Sequence, residues 1–128
     1  MWGKRRTAHK FKATKVFVGG ESFPSKLEYA LWNVLKTREL AGEIKDIKRQ
    51  VNVRLKEKCE ACGDGPVDFS VDFSFTDVNS GATQYAEAKG VRVSSYIKRE
   101  KLWVKNPPGR LEVWGGSYKR PKLLKVIE

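Results

Sequence analysis

The sequence predicts an α/β fold, a mixed central β-sheet flanked by helices, and three observations predict it. Val67, Phe69, Val71, Phe73 and Phe75 alternate with Asp68, Ser70, Asp72 and Ser74, the period-two pattern of a half-buried strand. The run 77–81, Asp-Val-Asn-Ser-Gly, is turn chemistry, and a second short strand at 84–89 follows it and stops at Gly90. Stretches at helical spacing lie on both sides of this hairpin, at 22–40 and 95–105. With 128 residues and 14.6 kDa, the chain is long enough to bury one core.

Charge is spread unevenly along it. Residues 1–15 hold six Lys/Arg and no acid, 16–96 hold 11 bases against 12 acids, and 97–128 hold nine bases against three acids. A nearly neutral middle between two cationic ends suits a polyanion such as nucleic acid; simple solubility is the competing reading. No apolar run approaches the roughly 20 residues of a membrane span, and the start of the chain lacks the apolar segment of a signal peptide. An intracellular protein, in the cytoplasm of a host or producing cell, is expected.

In chain order, Lys4, Arg5, Arg6, Lys10 and Lys12 make 1–15 a basic arm suited to following a phosphate backbone. His9, the only histidine, falls in the arm and suits a solvated or phosphate-facing role. Val16-Phe17-Val18 is a short β-like run closed by Gly19-Gly20. From 22 to 40, Leu27, Ala30, Leu31, Val34 and Leu35 recur at helical spacing, Pro24 suits a first turn and Gly42 marks the exit. Glu28 has two readings. Ser25-Lys26-Leu27-Glu28 matches a capping box in which Glu28 reaches back to its own helix start; with Ser22 as the cap, Glu28 is free to face the hairpin.

Val51, Val53 and Leu55 alternate with Asn52 and Arg54, so a strand begins by Gln50, which is either a surface amide or a polar neighbour of a site. The loop 56–66, KEKCEACGDGP, carries Cys59 and Cys62. One C-x-x-C is half of a zinc knuckle, which leaves three readings: free thiols, a zinc site completed from elsewhere, or a redox disulfide. Beyond the hairpin, Ser94 and Ser95 can cap a helix to about Lys105, ended by Asn106-Pro107-Pro108-Gly109. It carries Lys98, Arg99 and Lys101, able to contact phosphates. A strand at 111–114, a basic turn region at 115–122 and a terminal strand at 123–127 complete a single domain over 16–128.

Candidate chemistry centres on the hairpin. Glu87 and Lys89 project from one face of the second strand, and Asp72 lies on the polar face of the first. Two carboxylates beside an ammonium can hold a divalent metal and an attacking water, and carboxylate oxygens favour Mg²⁺ or Mn²⁺. The plainer reading is an ordinary hairpin with solvated acids and one lysine on its outer face.

A helix with Glu, two strands of which the second carries Asp, a strand with Glu-x-Lys and a basic helix follow one another here. That order resembles the PD-(D/E)XK nuclease superfamily, and within it small phage-encoded endonucleases related to Holliday-junction resolvases. The residues that carry the resemblance are Ser25-Lys26-Leu27-Glu28, Gly42-Glu43-Ile44-Lys45-Asp46, Arg49-Gln50-Val51, Asp72-Phe73, Glu87-Ala88-Lys89-Gly90 and Tyr96-Ile97-Lys98-Arg99-Glu100-Lys101-Leu102. The resemblance implies a restriction-endonuclease-like core and metal-dependent hydrolysis of DNA, with branched or junction DNA as substrate and a homodimer as the working form. It implies Asp72, Glu87, the Ala88 carbonyl and Glu28 as metal ligands, Lys89 as the group that orients or deprotonates water, and Gln50 as a neighbour of the site. Val71 stands where the family has a proline, and Asp68 is a second candidate on the same strand face as Asp72. The rival class is a noncatalytic basic nucleic-acid-binding module, zinc-stapled through Cys59 and Cys62.

Overall fold

A computed structural model describes residues 15–57, 59, 61, 63–89 and 94–128, with 94–96 described by backbone alone. The elements are β1 (Val16–Val18), β2 (Glu21–Phe23), α1 (Lys26–Leu40), β3 (Ile44–Lys56), β4 (Val67–Asp77), β5 (Thr83–Ala88), α2 (Ser94–Lys105), β6 (Arg110–Ser117) and β7 (Arg120–Ile127). Strands β3-β4-β5-β6-β7 lie in that order in one sheet. All neighbours are antiparallel except β5 and β6, which run parallel. A parallel pair needs a crossover, and α2 lies within it. The mixed sheet flanked by helices is the fold class that the sequence predicts.

Several expected boundaries move. The helix begins at Lys26, not Ser22, because Glu21–Phe23 pairs with Val16–Val18 as a separate two-stranded sheet. Ser25, extended at φ −150, is the N-cap. β3 starts at Ile44 and contains a bulge between Lys45 and Lys48, with Asp46 at φ 55. The stretch 115–122 is mostly ladder: Gly115, Gly116 and Ser117 pair with Lys122, Pro121 and Arg120, and the turn is confined to Tyr118 and Lys119. Pro121 is tolerated because β7 is an edge strand. The basic arm lies outside the described residues, apart from Lys15.

Two buried clusters cover the sheet. One gathers Val53, Leu55, Phe69, Val71, Trp103, Leu111, Val113 and Ile127; the other gathers Leu31, Leu35, Ile44, Phe73, Phe75 and Ala86. On β5 and β6 ordinary alternation sends neighbours to different clusters, Tyr85 against Ala86 and Val113 against Trp114. On β4 the change falls between Val71 and Phe73, and on β3 between Ile47 and Val51. Both switches flank one rung of the sheet, where Asp72 and Gln50 lie.

Candidate active site

The site forms where β4 and β5 part. Their ladder runs Thr76↔Thr83, Phe75↔Gln84, Ser74↔Tyr85 and Phe73↔Ala86, then stops. A continued ladder would satisfy the next backbone amides; side chains do so instead. The Asp72 N–H donates to Glu87 Oε1 at 3.1 Å, and the Ala88 N–H donates to Asp72 Oδ2 at 2.9 Å. These reciprocal bonds lock the two carboxyl groups face to face. Lys89 continues the strand, its N–H donating to the Trp114 carbonyl at 2.8 Å. Its ammonium lies 3.6 Å from Glu87 Oε2.

Glu28 arrives from α1. Both sequence readings prove half right: Ser25 is the cap, its hydroxyl accepting from the Glu28 N–H at 3.0 Å, yet the Glu28 carboxylate faces the hairpin. Glu28 Oε2 accepts from Gln50 Nε2 at 2.9 Å. Gln50 makes this bond from φ 52, a left-handed conformation that disfavours non-glycine residues. Arg49 was not expected as a site residue. Its charge acts on Glu28, while its guanidinium donates to the Ser22 carbonyl at 2.7 Å and lies 4.0 Å from the Phe23 ring centroid. The signal was there in sequence, a cation beside Gln50, but its direction on an irregular strand was not.

Glu28 is 4% and Glu87 3% exposed, and their chemistry follows from that. Burial, then the charge of Asp72, raises Glu87 from 4.5 to about 8. Burial, then Asp72, raises Glu28 from 4.5 to about 7, against the lowering effects of Arg49 and Gln50. Burial also raises Asp72, opposed by the Ala88 amide, Glu28, Lys89 and Glu87. Glu28 and Glu87, on either side of Asp72, thus hold their protons to near neutrality. Three carboxyls pressed together with insufficient countercharge is an arrangement that folding alone does not favour.

The structure brings Glu28, Gln50, Asp72, Glu87, Ala88 and Lys89 together. Asp68 is apart: it is paired with Arg54 and accepts from Asn52, and its side chain is 39% exposed. As the side chains lie, no group of three or more His, Cys, Asp or Glu among the described residues closes around a metal. Lys98 and Lys101 are exposed. Lys98 and Arg99 line an open cleft of about 290 Å³ with Pro66, Val67 and Asp68, and Arg99 Nε donates to the Asp68 carbonyl at 2.9 Å.

Cys59 is disulfide-bonded, and there is no free cysteine among the described residues. Of the three readings of this loop, the bonded state of Cys59 matches the disulfide and not the free thiol. The loop closes on itself, with the Cys59 N–H donating to Asp64 O and the Gly63 N–H to Cys59 O. Cys62 lies outside the described residues, as do Lys4, Arg5, Arg6, His9, Lys10 and Lys12. No helix among the described residues is long and apolar enough to cross a membrane.

No curated protein and no solved structure matches the chain. Residues 8–122 match the family described as "Protein of unknown function (DUF1064)". That match spans most of the chain, which therefore belongs to this family.

Proposed function

We propose that this protein is a metal-dependent DNA endonuclease with a PD-(D/E)XK-type, restriction-endonuclease-like core, acting on branched or junction DNA. The observation that carries the reading is the convergence of Glu28, Asp72 and Glu87 with Lys89 at the point where β4 and β5 separate. The donor set fits a hard divalent ion. Buried Glu28 and Glu87, half-buried Asp72 and the Ala88 carbonyl offer oxygen ligands only, which suits Mg²⁺ or Mn²⁺. Asp72, Glu87, Glu28 and the Ala88 carbonyl would hold the ion. Such an ion supplies Lewis acidity at a phosphoryl oxygen and lowers the pKa of a bound water.

The chain's own groups do the rest. Lys89 is anchored through its backbone to Trp114 and its ammonium lies 3.6 Å from Glu87 Oε2, where it can orient an attacking water or stabilise charge on phosphate. Gln50 holds Glu28 in one orientation, a positioning role. Lys98, Arg99 and Lys101 on α2 offer phosphate contacts, which position DNA without reading bases. Symmetric cutting of two strands would need two copies of the chain, so a homodimer is part of the proposal.

The test is direct. Plasmid, linear and four-way-junction DNA are incubated with the protein and Mg²⁺, Mn²⁺ or chelator. Cleavage with either metal, abolished by chelator and by Asp72→Asn, is the expected result. Binding without cleavage at any metal would leave the noncatalytic module.

A further inference from the structure

Among the described residues, strands β1 and β2 pair only with each other, through Val16↔Phe23, Phe17↔Ser22 and Val18↔Glu21. Gly19 and Gly20, at φ 57 and 82, supply the two-residue turn, which needs positive φ at both positions. A free two-stranded hairpin is marginal in water, so something must hold this one. At its base Phe23 is 1% exposed and packs on Tyr29 and Trp32. Arg49 braces β2 along its length, over the Phe23 ring, on the Ser22 carbonyl and against Glu21 at 3.3 Å.

Strand β1 is different. Phe17 is 74% and Val18 42% exposed. Three consecutive apolar residues, Val16-Phe17-Val18, give this strand no polar face. The Phe17 ring thus stands exposed in the middle of β1, on a ribbon braced through β2.

Charge indicates what it meets. The hairpin directly follows 15 residues with six bases and no acid. At its base Arg49 is the chain neighbour of Gln50, which bonds to Glu28. The base of the hairpin packs on Tyr29 and Trp32 of α1, the helix that carries Glu28, so DNA that reaches the carboxyl cluster lies beside the hairpin. Grooves of DNA admit a two-stranded ribbon, and inserted Phe side chains part base steps.

We propose that the β1–β2 hairpin is a wedge whose Phe17 side chain enters the base stack of bound DNA beside the carboxyl cluster, an inference that rests on the DNA-binding half of the function proposed above. Phe17 lies across the ladder from Ser22, about 5 Å away, and Ser22 is in Arg49's grip. Parting bases opposes binding in regular duplex and costs little where stacking is already interrupted. The wedge thus selects DNA with a branch, mismatch or unpaired base.

Full-length Asp72→Asn protein, used so that probe DNA stays intact, is mixed with 2-aminopurine DNA, either regular duplex or carrying one unpaired base. A fluorescence rise and tighter binding on the interrupted DNA are expected. Adding Phe17→Ala should abolish the rise and weaken that binding about tenfold to a hundredfold, the range base–aromatic stacking carries. Phe17→Trp should restore both. The exposed position makes these substitutions compatible with folding, which a matching thermal midpoint confirms. An absent rise, or one unchanged by Phe17→Ala, overturns the wedge. So does sedimentation showing a dimer that Phe17→Ala dissociates, since a second copy would then cover the ring. A fluorescence rise in wild-type protein that never cleaves DNA would end the nuclease reading and leave the wedge standing.

Discussion

Replacing Glu87 by Gln should stabilise the metal-free protein at alkaline pH and leave it nearly unchanged in acid. Burial first, then the Asp72 charge, holds Glu87 at about 8 instead of 4.5. A carboxyl that binds its proton more tightly folded than unfolded makes stability fall as pH rises. The loss begins near 4.5 and is complete above about 8. At about 1.4 kcal/mol per pH unit this interval has a ceiling near 5 kcal/mol. Protons shared with Glu28 and Asp72, and solvent near the 22%-exposed Lys89, reduce it to about 2 kcal/mol. The amide retains an acceptor for the Asp72 N–H and loses the Lys89 contact, worth under ~1 kcal/mol. Urea unfolding in chelator at about pH 5 and about pH 8.5 reads the effect, because the two conditions bracket the titration. Midpoints should nearly coincide in acid and separate in alkali, with Glu87→Gln the more stable. A wild type at least as stable as the variant at the higher pH would refute the reasoning, since Glu87 would then be satisfied by its neighbours.

Asp72→Asn and Lys89→Ala should each lower cleavage by about 10²-fold or more with DNA binding retained, as for groups acting in the transition state; Asp68→Asn, outside the cluster, should cleave like wild type in the same gel assay. Deleting residues 1–15 removes six positive charges and should flatten the salt dependence of DNA affinity by up to ~5 in log–log slope, measured by anisotropy titration. Gln50→Gly and Gln50→Ala both remove the donor to Glu28, but only Gly relieves the backbone at φ 52, so Gly should be the more stable by ~1 kcal/mol in urea unfolding while both lose activity.

How much of this was legible in sequence depended on how local the signal was. The hairpin of β4 and β5 was readable because strict alternation and an Asn-Ser-Gly turn need nothing distant to specify them. Asp72, Glu87 and Lys89 followed from that register. The start of β3 was not readable: Ile44, Ile47 and Val51 fall at helix-like intervals, because the bulge after Lys45 and the positive φ of Asp46 and Gln50 break the period of two. Glu28 was ambiguous because a capping box is reciprocal, and the two halves were treated as inseparable. Ser25 accepts the Glu28 backbone N–H, and the carboxylate is released to Gln50. The final ladder was hidden by Gly115, Gly116 and Pro121, turn residues that here lie in or beside an edge strand.

Three features that each oppose folding fall on one rung. Gln50 occupies a left-handed conformation, β4 and β5 abandon their ladder after Phe73↔Ala86, and buried carboxyls stand together with raised proton affinity. A sheet that only had to fold could end its hairpin in paired strands and fill the rung with apolar side chains, as Val71 and Phe73 do on either side of Asp72. Natural sequences depart from local rules chiefly where function requires it. Here the departures are coupled. Parting the strands frees the two amides that fix Asp72 and Glu87, and the conformation of Gln50 aims its amide at the third carboxyl. Each irregularity is therefore a condition of the carboxyl cluster, which is why the cluster, rather than the cationic ends, is where the chemistry of this chain should be sought.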